Sequence, residues 1–354
     1  MSRYFSQKHA SLAAYTPGEQ PRDMQYIKLN TNESPFPPSP KAQAYAAEAA
    51  QKLQLYSDPE CTELREKIAA LCGVNAGEIL PTNGSDEILN FAFMAFCDQD
   101  TPAVFPDISY GFYKVFAQIN GVPYREIPLT EDYAVDPEDY IGAGGTIFIA
   151  NPNAPTGKAL PLAEIEKIIA GNPDNIVVID EAYVDFGGES CIPLIRKYDN
   201  LLVTQTFSKS RSMAGARLGF GAACKSLIAD LNAMKYSTNP YNVNRMTMAA
   251  GLGTLEDEAY TQANIRVVIE NREWTAAELK KLGFEVMPSC TNFIFARHPK
   301  LDGKQTYLKL KAGGILVRHF DKPRLNEYNR ITIGSREQMA ALVEAMRREV
   351  EAAE

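Results

Sequence analysis

The stretch Leu201-Leu-Val-Thr-Gln-Thr-Phe-Ser-Lys-Ser-Arg-Ser-Met-Ala-Gly-Ala-Arg-Leu-Gly-Phe220 decides how the chain is read. It opens on a short apolar run of the kind that forms a buried strand. The run leads to Lys209, flanked by the hydroxyls of Thr206, Ser208, Ser210 and Ser212, with Arg217 eight residues on. An amine among hydroxyls and a guanidinium suits a nucleophile beside a bound phosphate ester. The guanidinium also disfavours the ammonium form and so helps the lysine lose its proton. Taken alone, the stretch reads better as a solvated surface loop. Its neighbours reverse that preference.

Upstream, Thr146-Ile-Phe-Ile-Ala150 runs into Asn151-Pro-Asn-Ala-Pro-Thr-Gly157, and Asn175-Ile-Val-Val-Ile179 ends in Asp180-Glu-Ala-Tyr183. Both are continuous apolar strands, as is Val104-Phe105 before the turn Pro106-Asp-Ile-Ser-Tyr110. Helical spacing fills 160–170. Strands therefore alternate with helices over roughly 80–225 and lack polar alternation, which predicts an α/β fold with a mostly parallel sheet covered by helices on both faces. Ligands in such sheets sit at the carboxyl ends of the strands. Asn153, Asp180, Tyr183 and Lys209 all fall just after strand ends. Asn83-Gly-Ser-Asp-Glu87 opens an apolar helix over 88–96, with Ser85 or Asp86 as its cap. A buried helix start offers free N–H groups and a positive dipole end to a phosphate, although a plain capped helix has the same signature. Tyr110, at a strand end, can stack on a flat ligand. Phe112 and Tyr113 read as core.

The flanks differ in character. Residues 1–30 show little periodicity and read as an N-terminal arm. Prolines between 35 and 40 forbid a helix there, and alanine-rich 41–53 and then 62–71 read as helices, with Tyr56 in the loop between them. Beyond 221 the chain is helical over 225–280, with Gly251 and Gly253 as interruptions. Short strands follow at 285–287, 292–296, 315–317 and 330–333, and a helix closes the chain at 336–351. These patterns predict an arm over 1–30 packed on the small domain or a dimer partner, a large cofactor-binding domain over 31–240 and a smaller α+β domain over 241–354.

Composition narrows the function. Among 354 residues, 45% are hydrophobic and 23% charged, an ordinary globular balance. A net charge of −8 argues against nucleic acid. The six cysteines have no C-x-x-C spacing and read as reduced thiols of a cytoplasmic protein. The three histidines are scattered, so no metal centre or histidine-driven triad is expected. No apolar run reaches membrane-spanning length.

Pyridoxal 5'-phosphate (PLP) demands the set that the strand ends supply. Its imine needs an amine, and its ring nitrogen needs an acid that keeps it protonated, for which Asp180 is placed. Its ring oxygen wants donors such as Asn153 and Tyr183, and its phosphate wants Ser85, Asp86, Thr206, Ser208 and Arg217. With Leu29-Asn-Thr-Asn-Glu-Ser-Pro35 and Arg330-Ile-Thr-Ile-Gly334, these motifs resemble the fold-type I PLP-dependent aminotransferases and, within them, the histidinol-phosphate aminotransferases, over nearly the whole chain. The resemblance implies that Lys209 carries the cofactor and moves the substrate proton, and that Tyr110 stacks on the ring. It implies a homodimer in which Tyr56 reaches the neighbouring subunit's phosphate site. Arg330 would bind the α-carboxylate of glutamate or 2-oxoglutarate and Arg318 the phosphate of histidinol phosphate, with Asn32 and Asn292 in the substrate pocket. The implied activity is a transaminase of histidine biosynthesis. An aromatic amino acid aminotransferase and a threonine-phosphate decarboxylase share the scaffold. Many aminotransferases carry asparagine directly before Pro-Thr-Gly, where this chain has Ala154, and Asn153 is assigned that role.

Overall fold

The computed structural model describes residues 2–10 and 12–353; Met1 and Ser11 of the expected arm and Glu354 at the chain end lie outside them. The arm leads into β1 (Ile27–Lys28), which pairs in parallel with Ile315–Leu316. Glu19 bonds Tyr307 and Lys311, so side chains as well as backbone strap the arm to the C-terminal part. Two helices follow, α1 (Pro40–Ala50), capped by Ser39, and α2 (Thr62–Cys72), stopped by left-handed Gly73.

A seven-stranded sheet comes next, built from β2 (Ile79–Thr82), β3 (Ala103–Pro106), β4 (Tyr124–Ile127), β5 (Thr146–Ala150), β6 (Val177–Asp180), β7 (Leu201–Thr206) and β8 (Gly219–Ala223). Its order is β2-β8-β7-β6-β5-β3-β4, and only β8 runs antiparallel to its neighbours. Connecting helices are α3 (Ser85–Phe96), α4 (Phe112–Asn120), α5 (Leu162–Ala170) and, after the sheet, α6 (Lys225–Thr238). Successive strand residues point to opposite faces. Ile147, Ile149, Val177, Ile179, Leu201 and Val203 enter one core with Ile165 and Ile168 of α5. Phe148, Val178 and Leu202 enter the other, with Ile88, Leu89 and Phe93 of α3 and Leu231 of α6. Each such side chain contributes about 1.5–3 kcal/mol of burial free energy, which is why no polar alternation survives in these strands.

Three strands escape the sequence pattern. Proline in β2 masks it, and β2 is an edge strand, where a missing N–H is tolerated. The other edge, β4, exposes Arg125 and Glu126. In β8, small residues replace bulky ones because α3 crosses close by: a Cβ on Gly219 would lie 2.5 Å from the Ser85 amide nitrogen. The cap expectation at α3 is also corrected. Gly84 is the N-cap, and among the described residues no side chain caps the N–H groups of the first turn.

Beyond the sheet run α7 (Arg245–Leu255) and α8 (Glu258–Lys281). Gly251 and Gly253 do not interrupt the helix; both lie inside α7. A Cβ on Gly253 would meet the Lys41 carbonyl at 2.6 Å and the Ala42 nitrogen at 2.7 Å, so this glycine lets α1 and α7 touch backbone to backbone. The remaining elements are β9 (Glu285–Val286), β10 (Phe293–Arg297), α9 (Gly303–Ala312), β11 (Ile315–Leu316), β12 (Arg318–His319), β13 (Asn329–Thr332) and α10 (Arg336–Glu351). An antiparallel sheet β12-β13-β10-β9 packs on α8 and α10 around Ile294, Ile331, Leu279, Leu342 and Met346, joined by Leu29 of the arm. Among the described residues, no helix is long and apolar enough to cross a membrane.

Candidate active site

The register of the parallel strands aligns Ala150, Asp180 and Thr204 at one level. Just beyond them lies a cavity of about 210 Å³ whose wall includes Ser85, Asp86, Tyr110, Asp180, Tyr183, Thr206, Ser208, Lys209 and Arg217. A larger one of about 620 Å³ shares Tyr110, Tyr183 and Lys209 with it and adds Tyr15, Asn32, Arg318 and Arg330. Residues far apart in sequence thus converge where the fold predicts a ligand.

Lys209 is half-buried between the two cavities, its Nζ 3.4 Å from the Thr31 carbonyl and 5.9 Å from the centre of the Tyr183 ring. Burial lowers its pKa to about 8, with Arg330 and then Arg217 adding repulsion against the attraction of Glu33 and Asp86. The guanidinium effect foreseen for Arg217 therefore comes more from Arg330. Asp180 is 4% exposed. Its carboxylate accepts hydrogen bonds from Tyr113 Oη and Thr204 Oγ1, both at 3.1 Å. Burial raises its pKa to about 6 despite these hydroxyls. A buried carboxylate that meets only neutral donors among the described residues, facing a cavity, fits a ligand that brings a cationic N–H. Neither Tyr113, taken as core, nor Thr204 was singled out from sequence; a hydroxyl two residues before Thr206 on the same strand was the available signal.

At the phosphate-sized end, the uncapped first turn of α3 meets the Thr206–Ser208 turn and Arg217. Thr206 Oγ1 donates to Ser208 Oγ at 2.9 Å, and Arg217 reaches Ser208 at 3.4 Å and Asp86 at 2.9 Å. Tyr110 Oη donates to the other Asp86 oxygen at 2.6 Å, which fixes the ring at the cavity wall. The Asp86 carboxylate thus serves as an anchor for Arg217 and Tyr110.

Asn153 does not reach the Lys209 cavities. Its Nδ2 donates to the Ile108 carbonyl at 3.0 Å and to Thr156 at 3.2 Å, its Oδ1 accepts from Ser109, and it lines a separate space with Tyr133 and Cys290. Ala154 occupies the wall facing Lys209 instead. The Asn153 amide is thus consumed in tying its turn to Ile108 and Ser109 after β3 and to Thr156. Asn292 is likewise fully buried and borders neither cavity; its Nδ2 donates to the Asn32 carbonyl. Asn32 borders the larger cavity, with Nδ2 donating to Tyr183 Oη at 2.9 Å. Tyr56 is remote from both cavities, 79% exposed and stacked on Tyr241 at 4.5 Å.

Arg318 and Arg330 are directly opposed across β12 and β13, and the ring of Phe320 lies 5.5 Å from each guanidinium. Arg330 donates to the Asn30 carbonyl and Arg318 to the carbonyls of Thr16 and Pro17. Among the described residues neither has a carboxylate partner, and buried Arg330 Nε has no acceptor. Like charges directly opposite destabilise a sheet, and both guanidinium groups border the cavity that Lys209 shares.

The family model for aminotransferase class I and II matches residues 24–346. The chain belongs to that family. This aminotransferase is 49% identical to a histidinol-phosphate aminotransferase of Aromatoleum aromaticum over 98% of its own length and 99% of the relative's. It is 48% identical to histidinol-phosphate aminotransferase 1 of Bordetella parapertussis, again over 98% and 99%. The crystal structure of a putative histidinol-phosphate aminotransferase from Erwinia carotovora atroseptica superposes with a TM-score of 0.86 at 30% identity, over 93% and 97% of the two chains. The Sinorhizobium meliloti histidinol-phosphate aminotransferase in complex with PLP shares the fold, with a TM-score of 0.83 at 23% identity over 93% and 92%. The aminotransferase uses PLP as its cofactor, and the buried acid, the amine and the phosphate-sized end of the smaller cavity fit that group.

Proposed function

We propose that this aminotransferase exchanges an amino group between glutamate and imidazole-acetol phosphate, giving histidinol phosphate and 2-oxoglutarate in histidine biosynthesis. The observation that carries the reading is the unpaired Arg318–Arg330 couple in the same cavity as Lys209: one guanidinium for a carboxylate, one for a phosphate. The names of the relatives point the same way.

When bound, PLP supplies an electron-poor ring that accepts the electrons released as the substrate loses its Cα proton. Lys209 would hold it and, with a proton affinity lowered toward neutral pH, take the Cα proton and return it. Asp180 would face the ring nitrogen and hold a proton there. Tyr183 would donate to the ring oxygen, and Tyr110 would lie against the ring. The backbone at Ser85 and Asp86, the hydroxyls of Thr206 and Ser208, and Arg217 would hold the phosphate. Arg330 would grip the α-carboxylate and Arg318 the substrate phosphate.

The reading extends to a cytoplasmic homodimer, with Tyr56 reaching its partner's phosphate site. Exposed Leu53, Leu55, Tyr56 and Tyr241 support that surface, and six free thiols support a reducing compartment. The reading divides the chain at 30 and 240 into arm, large and small domains, although Val243 and, from α7, Ala250 pack in the core of the large sheet and Leu29 of the arm in that of the small one. Half-reactions with histidinol phosphate, phenylalanine and phosphothreonine, followed by cofactor absorbance and CO2 release, test the substrate. Conversion of histidinol phosphate without CO2 is expected; turnover of phenylalanine alone would overturn the reading.

A further inference from the structure

Tyr183 is held by a hydrogen-bond chain that runs in one direction. Its origin is the backbone N–H of Asn32, which donates to Thr332 Oγ1 at 3.0 Å. A backbone N–H can only donate, so that contact uses Thr332 as acceptor and leaves its hydroxyl proton for Asn32 Oδ1, 3.1 Å away. The amide is thereby oriented with Nδ2 toward Tyr183, whose oxygen accepts at 2.9 Å. Tyr183 must then send its own proton elsewhere, and among the described residues no acceptor meets it. Both cavities that reach Lys209 border Tyr183.

The parts of this chain are fixed from three sides. Asn32 is 1% exposed and has a positive φ of 57°, a conformation asparagine tolerates better than most residues. Its carbonyl accepts from Asn292 Nδ2 at 2.9 Å. Thr332 is 3% exposed on β13, beside Phe293 of β10, whose ring packs edge-on against Tyr183 at 5.2 Å. Among the described residues the wall opposite offers no competing amide, since Ala154 stands there and Asn153 is committed to Ile108, Ser109 and Thr156.

We infer that Asn32 and Thr332 are positioning residues that make Tyr183 an obligatory hydrogen-bond donor toward the group Lys209 carries. This deepens the PLP reading and rests on it. The ring oxygen of bound PLP is negatively charged and attracts the proton of the imine joining the cofactor to Lys209. A donor on that oxygen withdraws charge, so the imine gives up its proton at lower pH. Loss of the donor raises the pH at which the imine titrates.

The test is a pH titration of the absorbance of the cofactor-loaded protein. The charged groups facing Lys209 and Tyr183 are Glu33, Asp86, Asp180, Arg217 and Arg330, and none is changed. Thr332→Val removes the hydroxyl without altering charge and frees the Asn32 amide to turn over; the midpoint is expected to rise by about one pH unit, the equivalent of one hydrogen bond to a charged oxygen. Thr332→Ser restores the hydroxyl and is expected to restore the midpoint. In a Tyr183→Phe background the Thr332→Val shift should vanish. An unchanged midpoint in Thr332→Val, or an equal shift in the Tyr183→Phe background, overturns the inference. Borohydride reduction followed by peptide mass analysis separates the two readings: cofactor fixed at Lys209 with an unmoved titration removes only the relay, whereas no label at Lys209 removes the PLP assignment itself.

Discussion

Asp180 stands where its charge is costly unless a cation shares the site. Its pKa, raised to about 6 in the fold against 3.8 when free, makes the cofactor-free protein bind a proton more tightly than the unfolded chain. Its contribution to stability is then fully present below pH 4 and is lost as pH rises through 6. Asp180→Asn should gain stability relative to the parent by up to about 3 kcal/mol between pH 4 and pH 7 in cofactor-free protein; urea unfolding at the two pH values measures it, and a flat difference would refute the assignment. Lys209→Ala should lower turnover by at least about 10²- to 10⁴-fold while PLP still binds noncovalently, read by equilibrium dialysis against steady-state rates. Arg330→Ala should weaken glutamate and 2-oxoglutarate about 10- to 100-fold, well beyond its effect on histidinol phosphate, and Arg318→Ala should do the reverse; equal losses in kcat/KM for both substrates would remove these roles. At this scale sequence announces a residue when it sits alone after an apolar strand, as Lys209 and Asp180 do. It misses Thr332, some 300 positions from its partner Asn32, and Tyr113, which looks like any core tyrosine until its hydroxyl is seen on Asp180. The one-residue displacement between Asn153 and Ala154 left a trace, an alanine directly before Pro-Thr-Gly, but which of the two faces inward is decided by bonds from Asn153 to Ile108, Ser109 and Thr156.

Elements were legible in proportion to the apolar surface they bury. The strands β5, β6 and β7 and helix α10 announce themselves by long apolar or amphipathic runs, whereas β8 is written in glycine and alanine because its neighbour needs the space. Gly219→Ala would push a methyl into the first turn of α3. The cost should be at least about 1–3 kcal/mol together with weakened binding of the cofactor's phosphate, since Ser85 and Asp86 must move. Gly253→Ala makes the same collision with α1 and should cost a similar amount in stability, with cofactor affinity retained because α1 lies outside the cavity wall. Urea unfolding and a PLP titration of both variants separate a structural glycine from one that shapes the site. Loss of PLP affinity in both would contradict this division.

The whole molecule joins two sheets through segments that belong to neither. The arm pairs with β11, and its Thr16 and Pro17 carbonyls hold Arg318, while Asn32 spans from β13 to Tyr183. Removal of residues 2–19 should therefore weaken phosphate-bearing substrates more than it lowers melting temperature, which kinetics and calorimetry on the truncated protein would check. For the proposed dimer, light scattering should give twice the chain mass, and Tyr56→Ala should lower PLP affinity although that side chain is remote from its own chain's cavities.

Both borders of the seven-stranded sheet are sealed, one by Pro81, which presents no amide hydrogen, and the other by the exposed charges of Arg125 and Glu126 on β4. A foreign peptide that adds itself to open sheets finds no template at either margin. The protein can thus be concentrated without recruiting its main sheet into fibrils.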